Sequence, residues 1–103
     1  MFVQPRVVIS RCQPRAVVNM NWGCEDPEGQ VTLFVKRMGD EEEFAFYPAL
    51  EVTGGRIVFQ FDELLFAREP GRFEGRLLLA GNEQTTVQLE YVRDRGLINV
   101  ENF

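Results

Sequence analysis

The chain has 103 residues, 45% of them hydrophobic, and a net charge of −5 at pH 7. This length and composition predict one domain over residues 1–103 with a substantial apolar core. The negative charge argues against a nucleic-acid partner, because phosphates are neutralised by clustered basic side chains. We expect neither a membrane partner nor a secretory signal. No stretch reaches the roughly 20 apolar residues of a membrane-spanning helix, and the start of the chain lacks a basic and then apolar leader.

The first half of the chain alternates apolar and polar residues in four segments, which is typical of half-buried antiparallel strands. The predicted strands span residues 2–9, 16–22, 30–37 and 44–50. Pro5 interrupts the first of them, because proline cannot donate to a sheet ladder. In the third, Val31, Leu33 and Val35 are expected to face the core and Phe34 the outside. The alternation in the fourth places Tyr47 on the outward face.

The second half contains three further predicted strands. They span residues 56–61, 72–80 and 84–92. Val58 and Leu78 fall on their outward faces by alternation. The joint at residues 80–83 supplies residues that tolerate the positive φ of a hairpin turn. Between the first two of these strands, Asp62 is expected to cap one helical turn near residues 62–66, which Pro70 prevents from extending.

Seven short strands separated by turn residues about every ten positions predict an all-β, antiparallel two-sheet sandwich. The fold is expected to be immunoglobulin-like or a related Greek key, with the short helical turn between two of its strands. The last residues are more apolar than a freely solvated terminus. We therefore expect the tail either to add an edge strand or to dock on another surface through residues 96–103.

Catalysis is not expected, because the chain contains no histidine. This absence removes the usual general base, the usual zinc nitrogen ligand and every serine–histidine or cysteine–histidine arrangement. Ser10 is the only serine, and no base lies near it in sequence. Carboxylate pairs such as Glu63 with Glu74, or Asp26 with Glu42, remain open as the kind of pair a glycosidase uses. A small sandwich has few residues to spare for a cleft, so we predict no enzyme activity and no cofactor.

Two acidic segments and two cysteines are the candidates for metal or redox sites in this sequence. The loop at residues 23–29 and the run Asp40–Glu43 lack both histidine and the ligand spacing of a calcium loop, which favours solvated loops. Cys12 and Cys24 flank the second predicted strand. An extended strand would separate their Cα atoms by far more than the about 7 Å that a disulfide spans. We therefore expect reduced cysteines and no metal.

A motif follows the predicted helical turn, in the stretch ELLFAREPGRFEGRLLL. Its matching residues are Pro70, Gly71, Phe73, Gly75 and Leu77. Over about residues 44–92 the chain resembles immunoglobulin-like domains of tailed-phage virion proteins, such as the N-terminal domains of phage baseplate upper proteins. Phe73 stands where many sandwiches carry a corner tyrosine, and Gly75 stands where antibody domains place a cysteine, so the corner hydrogen bond and the inter-sheet disulfide are absent.

The resemblance implies a structural part of a bacteriophage particle, in the tail, the baseplate or as a capsid accessory. Such a protein would be assembled in the host cytoplasm with other virion proteins as partners. The resemblance transfers no individual binding residue.

Apolar residues at predicted outward or terminal positions point independently to an assembly component. These candidate interaction residues are Phe34, Tyr47, Val58, Phe66, Leu78, Leu97, Ile98, Val100 and Phe103. If strand pairing gathers them, they form a larger apolar patch than monomers usually expose, which favours self-association or contact with other subunits. The alternative is that the helical turn and the tail cover these positions within the monomer.

Two other functions are compatible with the sequence. A sugar-binding module could use Trp22 or Tyr47, because aromatic faces stack on sugars, although Trp22 could equally close one end of the core. A small acidic inhibitor encoded by a phage could be steered by its negative charge towards a basic host protein.

Overall fold

The computed structural model describes residues 4–20 and 28–93, which contain eight strands and one short helix. The strands are β1 (Arg6–Ile9), β2 (Arg15–Asn19), β3 (Val31–Arg37), β4 (Ala45–Pro48), β5 (Glu51–Thr53), β6 (Arg56–Gln60), β7 (Gly71–Leu79) and β8 (Asn82–Tyr91). Helix α1 (Glu63–Phe66) connects β6 to β7. The predicted all-β sandwich with a helical turn is confirmed. In this part of the chain, no helix has the length and apolarity needed to cross a bilayer.

The strands form two sheets, in the order β1-β8-β7-β3-β4 and the order β2-β6-β5. All pairs are antiparallel except β1 with β8, which run parallel. The chain passes between the sheets at each of the connections from β1 to β2, β2 to β3, β4 to β5 and β6 to β7. In immunoglobulin notation, β3, β4, β7 and β8 are strands C, C′, F and G, and they lie over β2, β6 and β5 as strands B, E and D.

The core lies between the two sheets and is built from alternate residues of each strand, as the period of two predicts. Its fully buried side chains include Val18, Leu33, Val35, Ile57, Phe59, Phe61, Phe73, Leu77, Val87 and Leu89. The predicted inward orientation of Val31, Leu33 and Val35 is confirmed.

Gly75 of the central strand β7 leaves room for a large side chain of the neighbouring strand β3. A Cβ atom at this position would lie 2.8 Å from Cδ1 of Leu33, which is fully buried. The space beside Gly75 is therefore filled by the Leu33 side chain.

The local signals for turns are also confirmed. The Asp62 side chain caps α1 by accepting a hydrogen bond of 3.0 Å from the Leu64 amide. Ala80 and Gly81 have φ angles of 51° and 86° in the hairpin between β7 and β8. The short strand β5 was not predicted, and it makes the number of strands in the described residues eight rather than seven.

Candidate interaction surface

The structure places the five described candidate residues in different environments. Phe34 and Leu78 are half-buried on the outer face of the five-stranded sheet, so their predicted orientation is confirmed. Tyr47, Val58 and Phe66 are only 5%, 6% and 6% exposed, so the prediction that they belong to an exposed patch is wrong.

Tyr47 points inward because its strand pairs with β3 in a register that places it opposite Leu33. Its ring contacts Phe61 edge-to-face, with 4.8 Å between ring centroids, and its hydroxyl donates a 2.9 Å hydrogen bond to Oδ1 of Asp62. Burial and then this hydrogen bond raise the pKa of the Tyr47 hydroxyl well above its ordinary value. A buried ring offers no platform for stacking on a sugar.

Val58 and Phe66 are covered by neighbours within the domain. Val58 lies on the central strand of the smaller sheet, between Val17 of β2 and Glu51 of β5. Phe66 packs against Tyr91, with ring centroids 5.2 Å apart, and its carbonyl accepts hydrogen bonds from the Tyr91 hydroxyl and from Arg11. Neither residue is available to a partner.

The remaining candidates lie outside the described residues. They are Leu97, Ile98, Val100 and Phe103 of the expected docking tail, and Trp22 of the sugar-binding alternative. The roles of these residues remain predictions.

Phe46 is the exposed aromatic residue that the sequence prediction missed. It is 62% exposed on the outer face of β4 and stacks on Phe34 of β3, with ring centroids 5.8 Å apart and planes 27° apart. The Arg76 guanidinium lies 5.7 Å from the centre of the Phe34 ring. These three residues are direct cross-strand neighbours on β4, β3 and β7. We call Phe34 and Phe46 the phenylalanine patch.

Paired charges border the phenylalanine patch. Arg76 donates hydrogen bonds of 2.7 and 3.1 Å to the two carboxylate oxygens of Glu43 and lies 3.5 Å from Glu83. The hydrogen bond from Arg76 lowers the pKa of the Glu43 carboxyl. Lys36 and Glu74 form a second pair at 3.5 Å. The charges next to the patch are thus largely compensated within the monomer, so a partner can approach without leaving them unpaired.

Among the polar residues that the sequence offers for catalysis, Glu63, Glu74 and Ser10 are engaged in structural contacts. Glu63 pairs with Arg11 at the corner helix, and Glu74 pairs with Lys36 on the sheet. The Ser10 hydroxyl accepts a hydrogen bond from the Gln13 amide. No group of three acidic or cysteine side chains within residues 4–20 and 28–93 is placed to hold a metal ion.

Comparison of the chain with family models, curated proteins and solved structures returns no match.

Proposed function

We propose that this chain is a non-enzymatic structural domain that packs against neighbouring subunits of a larger assembly. The contact surface is the outer face of the five-stranded sheet, and its apolar part is the phenylalanine patch on β3 and the edge strand β4. The observation that carries the proposal is the 62% exposure of Phe46, a large apolar side chain that is already held by stacking on Phe34.

Burial of Phe46 by a partner would be favourable for two reasons. Full burial of an exposed phenylalanine contributes roughly 1.5–3 kcal/mol. In addition, the ring is already stacked on Phe34, so that less side-chain freedom is lost on binding. Arginine and aromatic residues are enriched in the central part of protein interfaces, and Arg76 lies next to the patch.

We assign the assembly to a bacteriophage particle, as a tail, baseplate or capsid accessory component. This assignment is supported by the immunoglobulin-like sandwich and by the motif from Pro70 to Leu77, which resembles that of tailed-phage virion domains. The partners would be copies of this chain or other virion proteins.

The proposal is tested by isolating the tagged chain with its bound proteins from cells that make it, followed by cross-linking and mass spectrometry. We expect cross-links to structural subunits and a loss of bound subunits of roughly tenfold or more in Phe46→Ser. The matched control is Leu64→Ser, since Leu64 is 57% exposed on α1 and lies outside the patch.

Equal recovery of subunits with the two variants would overturn the interaction surface. Recovery of a single basic host enzyme in place of structural subunits would instead support the inhibitor function.

A further inference from the structure

Unpaired charges of opposite sign lie near the two edges of the five-stranded sheet. Within the described residues, β1 and β4 are the edge strands of this sheet. Next to the β1 edge, a groove of about 260 Å³ extends over β1, β8 and β7. It is bordered by Arg6 of β1 and Arg72 of β7, with Val8 of β1 and Glu90 of β8 also in its wall. At the other edge, the loop that leads into β4 contains the exposed acids Asp40, Glu41 and Glu42; we call residues 40–42 the acidic loop.

The charges in both places lack partners in the part of the chain that the structure describes. Neither Arg6 nor Arg72 forms an ion pair there, although Glu90 faces Arg72 across the ladder between β7 and β8. The three acids of the acidic loop also form no ion pair, whereas the next residue, Glu43, is bound by Arg76. The groove thus has one more positive than negative charge, and the acidic loop carries three negative charges.

Strand register places the groove and the acidic loop at the same end of the sheet. Arg6 pairs with Gln88, Gln88 with Glu74, and Glu74 with Lys36, so these four residues form one row across the sheet. Lys36 lies at the end of β3 from which the acidic loop departs. A second copy that lies beside the β1 edge in the same orientation therefore has its acidic loop at the level of the groove.

We propose that the Arg6–Arg72 groove binds carboxylates from the acidic loop of a second copy of this chain. The inference rests on the proposed function and names one of its partners. Contact between unlike edges is heterologous, so it joins copies head to tail into a closed ring or an open filament. The contact would also cover Val8, which is 59% exposed at the β1 edge.

Charge complementarity favours a second copy as the occupant. Two copies that each carry a net charge of −5 repel one another in most orientations. Approach of the acidic loop to the groove instead brings unpaired carboxylates to unpaired guanidinium groups, which form strong paired hydrogen bonds with carboxylates.

The test uses two charge-reversal variants of the full chain, Arg6→Glu/Arg72→Glu and Glu41→Lys/Glu42→Lys, measured by sedimentation velocity over a range of concentrations. We expect the unmodified chain to self-associate, and each variant alone to associate at least about tenfold more weakly, because like charges then meet at the junction. An equimolar mixture should recover association, because each variant now complements the other. Unchanged thermal unfolding of each variant controls for folding.

Three results would overturn the inference: an unmodified chain that stays monomeric at all concentrations, variants that associate as strongly as the unmodified chain, or a mixture that fails to recover association. The Phe46→Ser variant separates this outcome from the proposed function. If Phe46→Ser loses bound subunits while the charge variants retain self-association, the groove assignment fails and the interaction function stands. If Phe46→Ser keeps all of its bound subunits, the proposed contact surface is wrong, whatever the charge variants show.

Discussion

At the scale of single residues, the contact between Gly75 and Leu33 leaves no room for one added methyl group. A Cβ atom on Gly75 would lie 2.8 Å from Cδ1 and 2.9 Å from Cγ of Leu33, which has no exposed surface through which to move away. We expect Gly75→Ala to lower the free energy of unfolding by about 1–3 kcal/mol through overpacking. Chemical denaturation followed by tryptophan fluorescence or circular dichroism measures this difference.

A double-mutant cycle identifies the cause of that loss. Leu33→Ala alone should cost about 2–5 kcal/mol, because it leaves a cavity in the core. The same change removes all three side-chain atoms that crowd the added Cβ atom. The double variant should therefore cost less than the sum of the two single changes, by about 1 kcal/mol or more. Strict additivity would show that Gly75→Ala acts through something other than this contact.

Phe46 and Tyr47 show why the sequence alone did not predict which face of β4 is buried. The segment at residues 44–47 has aromatic residues on both alternating faces, so its pattern predicts a strand without saying which face is inward. The face is decided by the pairing of Tyr47 with Leu33 and by the hydrogen bond from the Tyr47 hydroxyl to Asp62. Both contacts depend on the register between distant segments. A tyrosine next to a phenylalanine therefore gave no local signal that the more polar ring would be the buried one.

At the scale of elements, local sequence predicted those strands that have at least two inward apolar residues or a clear turn beside them. Strand β5 covers only three residues, Glu51–Thr53, which is too short for an alternating pattern to be recognised. Pairing across the sheet had no local signal either. Gln4 and Gln88 are joined by a 2.8 Å side-chain hydrogen bond although 84 positions separate them.

Helix α1 depends on its cap, because four residues form too few internal hydrogen bonds to be stable alone. Asp62 accepts hydrogen bonds from the Leu64 amide and the Tyr47 hydroxyl. We expect Asp62→Ala to lower the free energy of unfolding by about 1–2 kcal/mol, because both donors lose their acceptor. Asp62→Asn keeps one side-chain oxygen and should cost clearly less. Equal losses in thermal or chemical unfolding of the two variants would show that the charge of Asp62, rather than its hydrogen bonds, matters.

At the scale of the whole molecule, the fold class was predictable and the proposed contact surface was not. The fold class follows from alternation and turn spacing, which are local. The surface instead brings Phe34, Phe46 and Arg76 together from three strands. Of the described candidate residues, only Phe34 and Leu78 were placed on the correct face and left partly accessible.

The acid stability of the whole domain should depend on Glu43, which ties the loop before β4 to β7 through Arg76. The hydrogen bond from Arg76 lowers the pKa of Glu43 in the folded state below its ordinary value of 4.5. The stabilisation is therefore complete above pH 4.5 and is lost as the pH falls through the lower, folded-state pKa. At pH 7 we expect Glu43→Gln to cost about 0.5–1 kcal/mol of unfolding free energy, since the pair is partly exposed to solvent.

The sign of this pH dependence distinguishes the ion pair from a general effect of charge. The difference in unfolding free energy between the unmodified chain and Glu43→Gln should shrink towards zero as the pH is lowered from 7 to about 3, because the other carboxyl groups titrate equally in both proteins. Glu28→Gln is the matched control, since its exposed carboxylate forms no ion pair within the described residues and lies outside the acidic loop. It should differ little from the unmodified chain at any pH. The ion pair with Arg76 requires the ionised carboxylate of Glu43, which becomes protonated at low pH. A difference between the unmodified chain and Glu43→Gln that stays constant over this range would therefore mean that Glu43 stabilises the domain by packing.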